Sequence, residues 1–231
     1  MLVISSDWNA FTENSPVAAR FRMQARTVER LDSLVPNGPR QLVQLSGNSA
    51  VRGFGYGKVL GALRTVLAGA RIGRPDVVSA QDPFFLGLIA WIIAGLRGSR
   101  LHLQVHTDFY APHFAQSFKQ RIQLFLAHFL LGRADAVRVV SEKVAVPLRE
   151  RGVANVSVLP VFVDLSGLQN AKPLDRTGFA RYKKIIVVVA RLEPEKQVDK
   201  AIRAMKAILQ SIPDAGLIII GSGSERGALE S

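Results

Sequence analysis

Residues 185–223 decide how this chain is read. They run Ile185-Ile186-Val187-Val188-Val189-Ala190-Arg191-Leu192-Glu193-Pro194-Glu195-Lys196, then a periodic segment from Val198 to Ser211, then Leu217-Ile218-Ile219-Ile220-Gly221-Ser222-Gly223. The two apolar runs are short, β-branched and separated by helical spacing. That is a βαβ unit, the building block of a parallel sheet covered by helices. In open parallel sheets ligands bind beyond the carboxyl ends of the strands. The first strand delivers Arg191 and Lys196 to that edge, beside a helix N-terminus. A guanidinium clamps phosphate oxygens bidentately and an ammonium adds a mobile point charge, so the pair is a candidate diphosphate site. An exposed loop in which both cations pair with Glu193 and Glu195 is the other open reading.

The same alternation precedes it. Leu2–Ser5 reads as a strand, and Val17–Leu34 as a helix stopped by Pro36-Asn37-Gly38-Pro39. Gln41–Leu45 reads as a strand, and Gly53–Gly57 as a flexible loop before a helix towards Arg71. Strands at Asp76–Ser79, Leu101–Val105, Ala136–Val140 and Val156–Leu159 alternate with helices at Pro83–Arg97, Ser117–Arg133 and Glu142–Arg151. The predicted class is α/β, a Rossmann-like doubly wound parallel sheet over residues 1–164. An aperiodic linker spans 165–183, and the βαβ unit of residues 184–231 is too small to cover its own sheet. The second domain is therefore expected to be incomplete.

Composition narrows the function classes. The 231 residues are 48% hydrophobic, too apolar for disorder, and the absence of cysteine excludes disulfide scaffolds, thiolate metal sites and cysteine nucleophiles. No basic leader precedes the first strand, and the longest uncharged stretch, Phe84–Leu96, is short of the roughly 20 residues a membrane span needs. A cytoplasmic chain, peripheral on the inner face of a membrane, is expected. The net charge of +12 comes from scattered cations without an aromatic-interleaved stripe, which argues against nucleic acid. An anionic membrane surface is the functional reading of the charge, and arginine-rich codon usage the bland one. The Ser117–Arg133 helix carries the same choice. It places Phe118, Ile122, Phe125, Leu126, Phe129 and Leu130 on one face flanked by Lys119, Arg121 and Arg133, which suits a core helix or a membrane-facing one.

The Val189–Lys196 stretch, with the Ala215–Gly223 run after it, resembles the family-4 retaining glycosyltransferases. Ser79-Ala80-Gln81-Asp82-Pro83, Gln104-Val105-His106-Thr107-Asp108, Arg138-Val139-Val140-Ser141-Glu142 and Leu159-Pro160-Val161-Phe162-Val163-Asp164 extend the resemblance as successive strand-end motifs. It implies a GT-B type fold, two Rossmann-like domains. It also implies transfer of a hexosyl group from a nucleoside-diphosphate sugar to a hydroxyl, with retention. A sugar or lipid-linked acceptor, envelope glycolipid or polysaccharide synthesis, and no cofactor or catalytic metal follow. Under it Arg191 and Lys196 grip the donor diphosphate, and Gly221 and Gly223 form the turn near the nucleotide.

His106 follows an apolar strand, and imidazole both hydrogen-bonds sugar hydroxyls and moves protons near neutral pH. The resemblance gives it a substrate-positioning role; a histidine held by backbone is the bland reading. Asp108 orients His106, accepts from an acceptor hydroxyl, or caps a turn. Asp82 and Glu142 are acceptor-side candidates, with helix capping the default for Asp82. Asn14 and Ser15 stand where many members carry paired glycines; they offer donors at a helix N-terminus or an ordinary cap before Pro16. Glu142 and Glu150 match the spacing of the family's glutamate pair but lie in the wrong domain, so they are not that pair. The true pair is expected beyond Ser231, which predicts an isolated chain without turnover. Two alternatives are a nucleotide-sugar epimerase and a non-catalytic basic module binding anionic lipid or protein.

Overall fold

Leu2, Val3 and Ile4 are all buried and form β1 (Leu2–Ile4), the strand around which the first sheet divides. The computed structural model describes residues 1–55, 57–110, 114, 117–161, 170–172, 175 and 177–230, in two units, Met1–Val163 and Asp164–Ser231. In the first, β1 is joined by β2 (Leu31–Val35), β3 (Leu42–Ser46), β4 (Ser49–Gly53), β5 (Val77–Ala80), β6 (Arg100–Val105), β7 (Ala136–Val139) and β8 (Val156–Val158). Their spatial order is β3-β4-β2-β1-β5-β6-β7-β8. Every pairing is parallel except the β3–β4 hairpin. The chain leaves β1 towards β2 and later returns to β5 on its other side. The crevice beyond the carboxyl ends of β1 and β5 is thus a topological switch point, where such sheets bind ligands.

Alternation along the strands sets two faces. Leu2, Ile4, Val78, Leu101, Leu103, Val105, Val137 and Val139 turn to a core shared with α3 (Phe85–Arg97), α4 (Phe118–Leu131) and α5 (Glu142–Glu150). Helix α2 (Lys58–Arg71) packs beside α3. The opposite face carries α1 (Pro16–Ala25), whose Val17, Ala18, Phe21 and Ala25 meet Val3, Leu31, Val35 and Val51. No helix among the described residues is long and apolar enough to cross a membrane.

Three expectations are corrected here. The helix predicted over Val17–Leu34 ends at Ala25, and Leu31–Val35 is a strand. Asn48 decides this: its side-chain amide donates to the carbonyls of Ala25 at 2.8 Å and Val28 at 3.1 Å, closing the helix from over twenty residues away. A second strand, β4, was hidden between the predicted strand at 41–45 and the loop at 53–57; its Val51 is fully buried. The predicted face of Ser117–Arg133 is also divided. Leu130 is buried with Ala127 and Leu131, whereas Phe118, Ile122 and Phe125 lie open to solvent.

The second unit pairs β9 (Lys184–Val189) with β10 (Ala215–Ile220) in parallel, connected by α6 (Val198–Ser211) and followed by α7 (Arg226–Glu230). Part of the predicted linker, residues 165–169, 173, 174 and 176, and Phe162–Asp164 lie outside the described residues. Parallel sheets are normally covered on both faces, yet Val187 and Val189 of β9 are exposed. With few buried side chains to lose, this unit should open locally at low cost. Amide hydrogen exchange of the intact chain is expected to be faster throughout β9 and β10 than in β1, β5 and β6. Equal protection in both units would refute that expectation.

Candidate functional site

At the switch-point edge of the first unit a cavity of about 690 Å³ opens between α1 and the ends of β1, β6 and β7. Arg20, Phe21 and Gln24 of α1 line one side; Gln104, His106 and Arg138 line the other, with Ser6 and Asp7 from the β1 loop. Phe21 is anchored in the core, so its helix holds Arg20 at the rim.

A directed chain of hydrogen bonds runs from the cavity wall along the sheet. Arg138 donates to the carbonyls of Leu159 (Nε, 3.1 Å) and Pro160 (Nη2, 3.1 Å) and, from Nη1 at 3.3 Å, to Gln104 Oε1. With its oxygen so engaged, Gln104 donates from Nε2 to Ser79 Oγ at 3.2 Å. The Ser79 hydroxyl is then free to donate to His102 Nδ1, 2.8 Å away, which makes the proton-bearing nitrogen of a neutral His102 its Nε2. Burial and the positive charge of Arg138 lower the His102 pKa, in agreement with a neutral ring. Among the described residues, Arg138's hydrogen-bond partners include no carboxylate. Burial lowers its pKa, and Arg20 adds to the effect.

His106 stands on the same sheet face, two residues after Gln104, at the cavity wall. Desolvation lowers its pKa, assisted by Arg138 and then Arg20. Its imidazole is therefore neutral at pH 7, able to accept at one nitrogen and donate at the other. Asp108 forms an ion pair with Lys143 at 3.6 Å, and no described hydrogen bond joins it to His106. Asp82 accepts the Phe84 amide at 2.8 Å in a turn two residues before the α3 N-cap, which is Phe84 and not Asp82 as the capping reading had it. Burial raises its pKa against the opposing pull of the Phe84, Leu86 and Gly87 amides. It borders a separate cavity of about 130 Å³ with Ser6 and Asn37. Glu142 pairs with Arg149 at 2.7 Å on the solvent side of α5, and neither lines the cavity. Ser15 is the N-cap of α1, accepting from the Ala18 amide at 3.0 Å, and Asn14 beside it is exposed; neither lines the cavity. The structure thus brings His106 into one site with Arg20, Gln104 and Arg138, while Asp108, Glu142, Asn14 and Ser15 have structural partners or face solvent. The signal for the missed residues lies in Leu101-His102-Leu103-Gln104-Val105-His106, where polar residues alternate through an otherwise apolar strand.

In the second unit the ends of β9 and β10 are tied together. Leu192 N donates to Ser222 O at 2.9 Å and Glu225 N to Leu192 O at 2.9 Å. The approach is so close that a Cβ on Gly221 would collide with Ala190 O, and one on Gly223 with the Leu192 backbone. Glu193 accepts from Ser224 Oγ at 2.8 Å, and that bond holds its carboxyl pKa below the usual range, with Arg191 adding to the effect. Arg191 pairs with Glu195 at 2.6 Å, the partner foreseen in the plain-loop reading, while Lys196 is exposed at the end of a 3-10 turn leading into α6. Exposed ion pairs are worth about 0–1 kcal/mol, so Glu195 is a displaceable partner. Among the described residues no three His, Asp or Glu side chains cluster as metal ligands.

Comparison with known proteins bears on both units. A glycosyl transferase 4-like domain model matches residues 7–161, and a glycosyl transferases group 1 model matches residues 173–231. Over 77 residues the chain is 35% identical to the GDP-mannose-dependent monoacylated alpha-(1-6)-phosphatidylinositol monomannoside mannosyltransferase of Corynebacterium glutamicum, covering 31% of this chain and 20% of that protein. Among solved structures, a single-site mutant of S. aureus TarM in complex with fondaparinux, alpha-GlcNAc-glycerol and UDP superposes at TM-score 0.54 with 15% identity, covering 74% of this chain and 33% of that one. S. aureus MnaA with UDP gives TM-score 0.54 at 11% identity, covering 99% and 63% respectively. The chain therefore spans a fifth of that curated relative and a third of the TarM chain. Its fold class is α/β of GT-B type. With one domain model matching most of the first unit and the other continuing through the second, the chain belongs to the glycosyl transferase 4-like family.

Proposed function

We propose that this chain supplies the acceptor side and the donor-diphosphate loop of an enzyme that moves a hexosyl group from a nucleoside-diphosphate sugar to a hydroxyl, with retention. The observation that carries the reading is the closure of the Arg191 loop against the Gly221–Gly223 turn at the carboxyl ends of β9 and β10. Backbone packed that tightly fixes where Arg191 and Lys196 emerge, beside the N-terminus of α6. In this reading Arg191 leaves Glu195 for the diphosphate, and Lys196 follows the charge that builds as the sugar–phosphate bond breaks. His106, neutral, orients sugar and acceptor hydroxyls at the cavity wall, while Arg20 and Arg138 keep that wall positive. The departing charge is met by protein cations rather than a metal. A sugar or lipid-linked acceptor, as in envelope glycolipid or polysaccharide synthesis, is in keeping with the phosphatidylinositol mannoside named for the corynebacterial relative.

The test is calorimetric titration of the chain with UDP and with GDP. Saturable binding of one of them is expected, weakened at least tenfold by Arg191→Ala and by Lys196→Ala, since hydrogen bonds to charged groups contribute about 1.5–3 kcal/mol. No binding of either, or affinities indifferent to both substitutions, would overturn the donor-site assignment.

A further inference from the structure

The cavity of the first unit holds more positive charge than its surroundings neutralise. Arg20 reaches it from α1 and Arg138 from β7, on opposite sides. Among the described residues no ion pair reaches either guanidinium, and Arg20 makes no hydrogen bond there. Asp7 is the one acid among the described lining residues, and its carboxylate accepts the Asn9 amide at 3.1 Å as the cap of a 3-10 turn. The two cations act on each other: burial lowers the Arg138 pKa, and Arg20 lowers it further. Arg138 is held in place by Leu159, Pro160 and Gln104, yet those bonds use only one of its two Nη1 hydrogens.

A cleft lined by one sign of charge concentrates the opposite sign. Two guanidiniums facing each other across it suit a group with several anionic oxygens. Charge balance selects the group. A carboxylate would offset one cation, whereas a phosphate monoester carries roughly −1.5 to −2 at pH 7 and offsets both. The cavity volume of about 690 Å³ accommodates a small molecule around that group. His106, on the same wall as Arg138, is placed to meet a hydroxyl of the same molecule, and the exposed Trp8 and Met23 give it apolar walls.

We propose that Arg20 and Arg138 form an anion subsite for the phosphate monoester of a phosphorylated polyol or sugar acceptor, holding its reactive hydroxyl beside His106. Naming the ligand an acceptor rests on the transferase reading above; the convergence of the two cations does not. The donor diphosphate is the other source of such an anion, and one experiment separates the two. Glycerol 3-phosphate is titrated into the intact chain at low salt, with glycerol as the uncharged control, by calorimetry and by NMR of the His106 imidazole. Saturable binding is expected for glycerol 3-phosphate alone, with the His106 pKa rising as the anion offsets the charges of Arg138 and Arg20. Arg20→Met should weaken that binding at least tenfold without lowering the melting temperature, because the guanidinium has no described protein partner to lose. It should leave the affinities for UDP and GDP unchanged, while Arg191→Ala does the reverse. No binding of glycerol 3-phosphate, an equal response to glycerol, or an Arg20→Met chain that binds like the parent would overturn the subsite. Loss of UDP or GDP binding in Arg20→Met would give the pair to the donor diphosphate and overturn the acceptor assignment. Binding of glycerol 3-phosphate by a chain that binds neither nucleotide would leave the subsite standing and overturn the donor-site assignment alone.

Discussion

Replacing Gly223 with alanine is expected to destabilise the second unit by roughly 2–4 kcal/mol and to remove nucleotide binding. The added Cβ would lie within 3.0 Å of the N, C and O atoms of Leu192, a stretch of backbone with no side-chain freedom to yield. To relieve the clash the turn must retreat from the Arg191 loop. It would then lose the Leu192–Ser222 and Glu225–Leu192 backbone bonds and the Ser224–Glu193 bond. Gly227 is the control, since nothing lies within 4 Å of its Cβ position in α7. Alanine there should be neutral or stabilising. Melting followed at residues 184–230, with UDP and GDP titrations, reads both effects. A Gly223→Ala chain indistinguishable from Gly227→Ala would show that the two loops are not closed as described.

The second large effect is expected at Arg138. Methionine keeps the length of the side chain but removes the donors to Leu159, Pro160 and Gln104, leaving Oε1 of the buried Gln104 without its partner. A loss of about 2–3 kcal/mol in the first unit follows from charged hydrogen bonds and an unsatisfied buried acceptor. The substitution also withdraws a positive charge that lowers the pKa of both His102 and His106, so both should rise towards the ordinary 6.5. The sign for stability is set by the depressed folded values. Below about pH 6.5 the unfolded chain takes up protons that the folded chain resists, so stability falls as pH drops towards the folded pKa. Arg138→Met should narrow that window. Imidazole titration by NMR with parallel thermal melts checks both outcomes, and unchanged histidine pKa values would dismiss Arg138 as the source of the field.

Much of the α/β alternation was legible because it rests on local patterning. The helix from Val198 to Ser211 forms over the predicted residues, and β5 to β8 lie within a residue or two of theirs. The region from 26 to 53 was less legible. Leu31 and Leu34 have helical spacing, but the C-terminal carbonyls of α1 are captured by Asn48, which only the folded β3–β4 hairpin delivers. The site shows the same contrast. His106 was marked by its position after an apolar strand, whereas Gln104 and Arg138 become partners through the parallel register that sets one opposite the other across β6 and β7. Asp108 and Glu142 seemed equally placed for chemistry in one dimension; the fold gives them Lys143 and Arg149.

The sequence by itself determined the class of the fold, the delivery of Arg191 and Lys196 to a strand edge, and the excess of positive charge. Each of these depends on residue type and on neighbours within a few positions. The tertiary structure alone decided where α1 stops, which polar groups join across the sheet and which apolar residues of α2, α3 and α4 are left in water. Those outcomes depend on segments far apart in the chain meeting in register. A hydrogen-bond partner or a covering surface at that distance leaves no periodic trace in the chain.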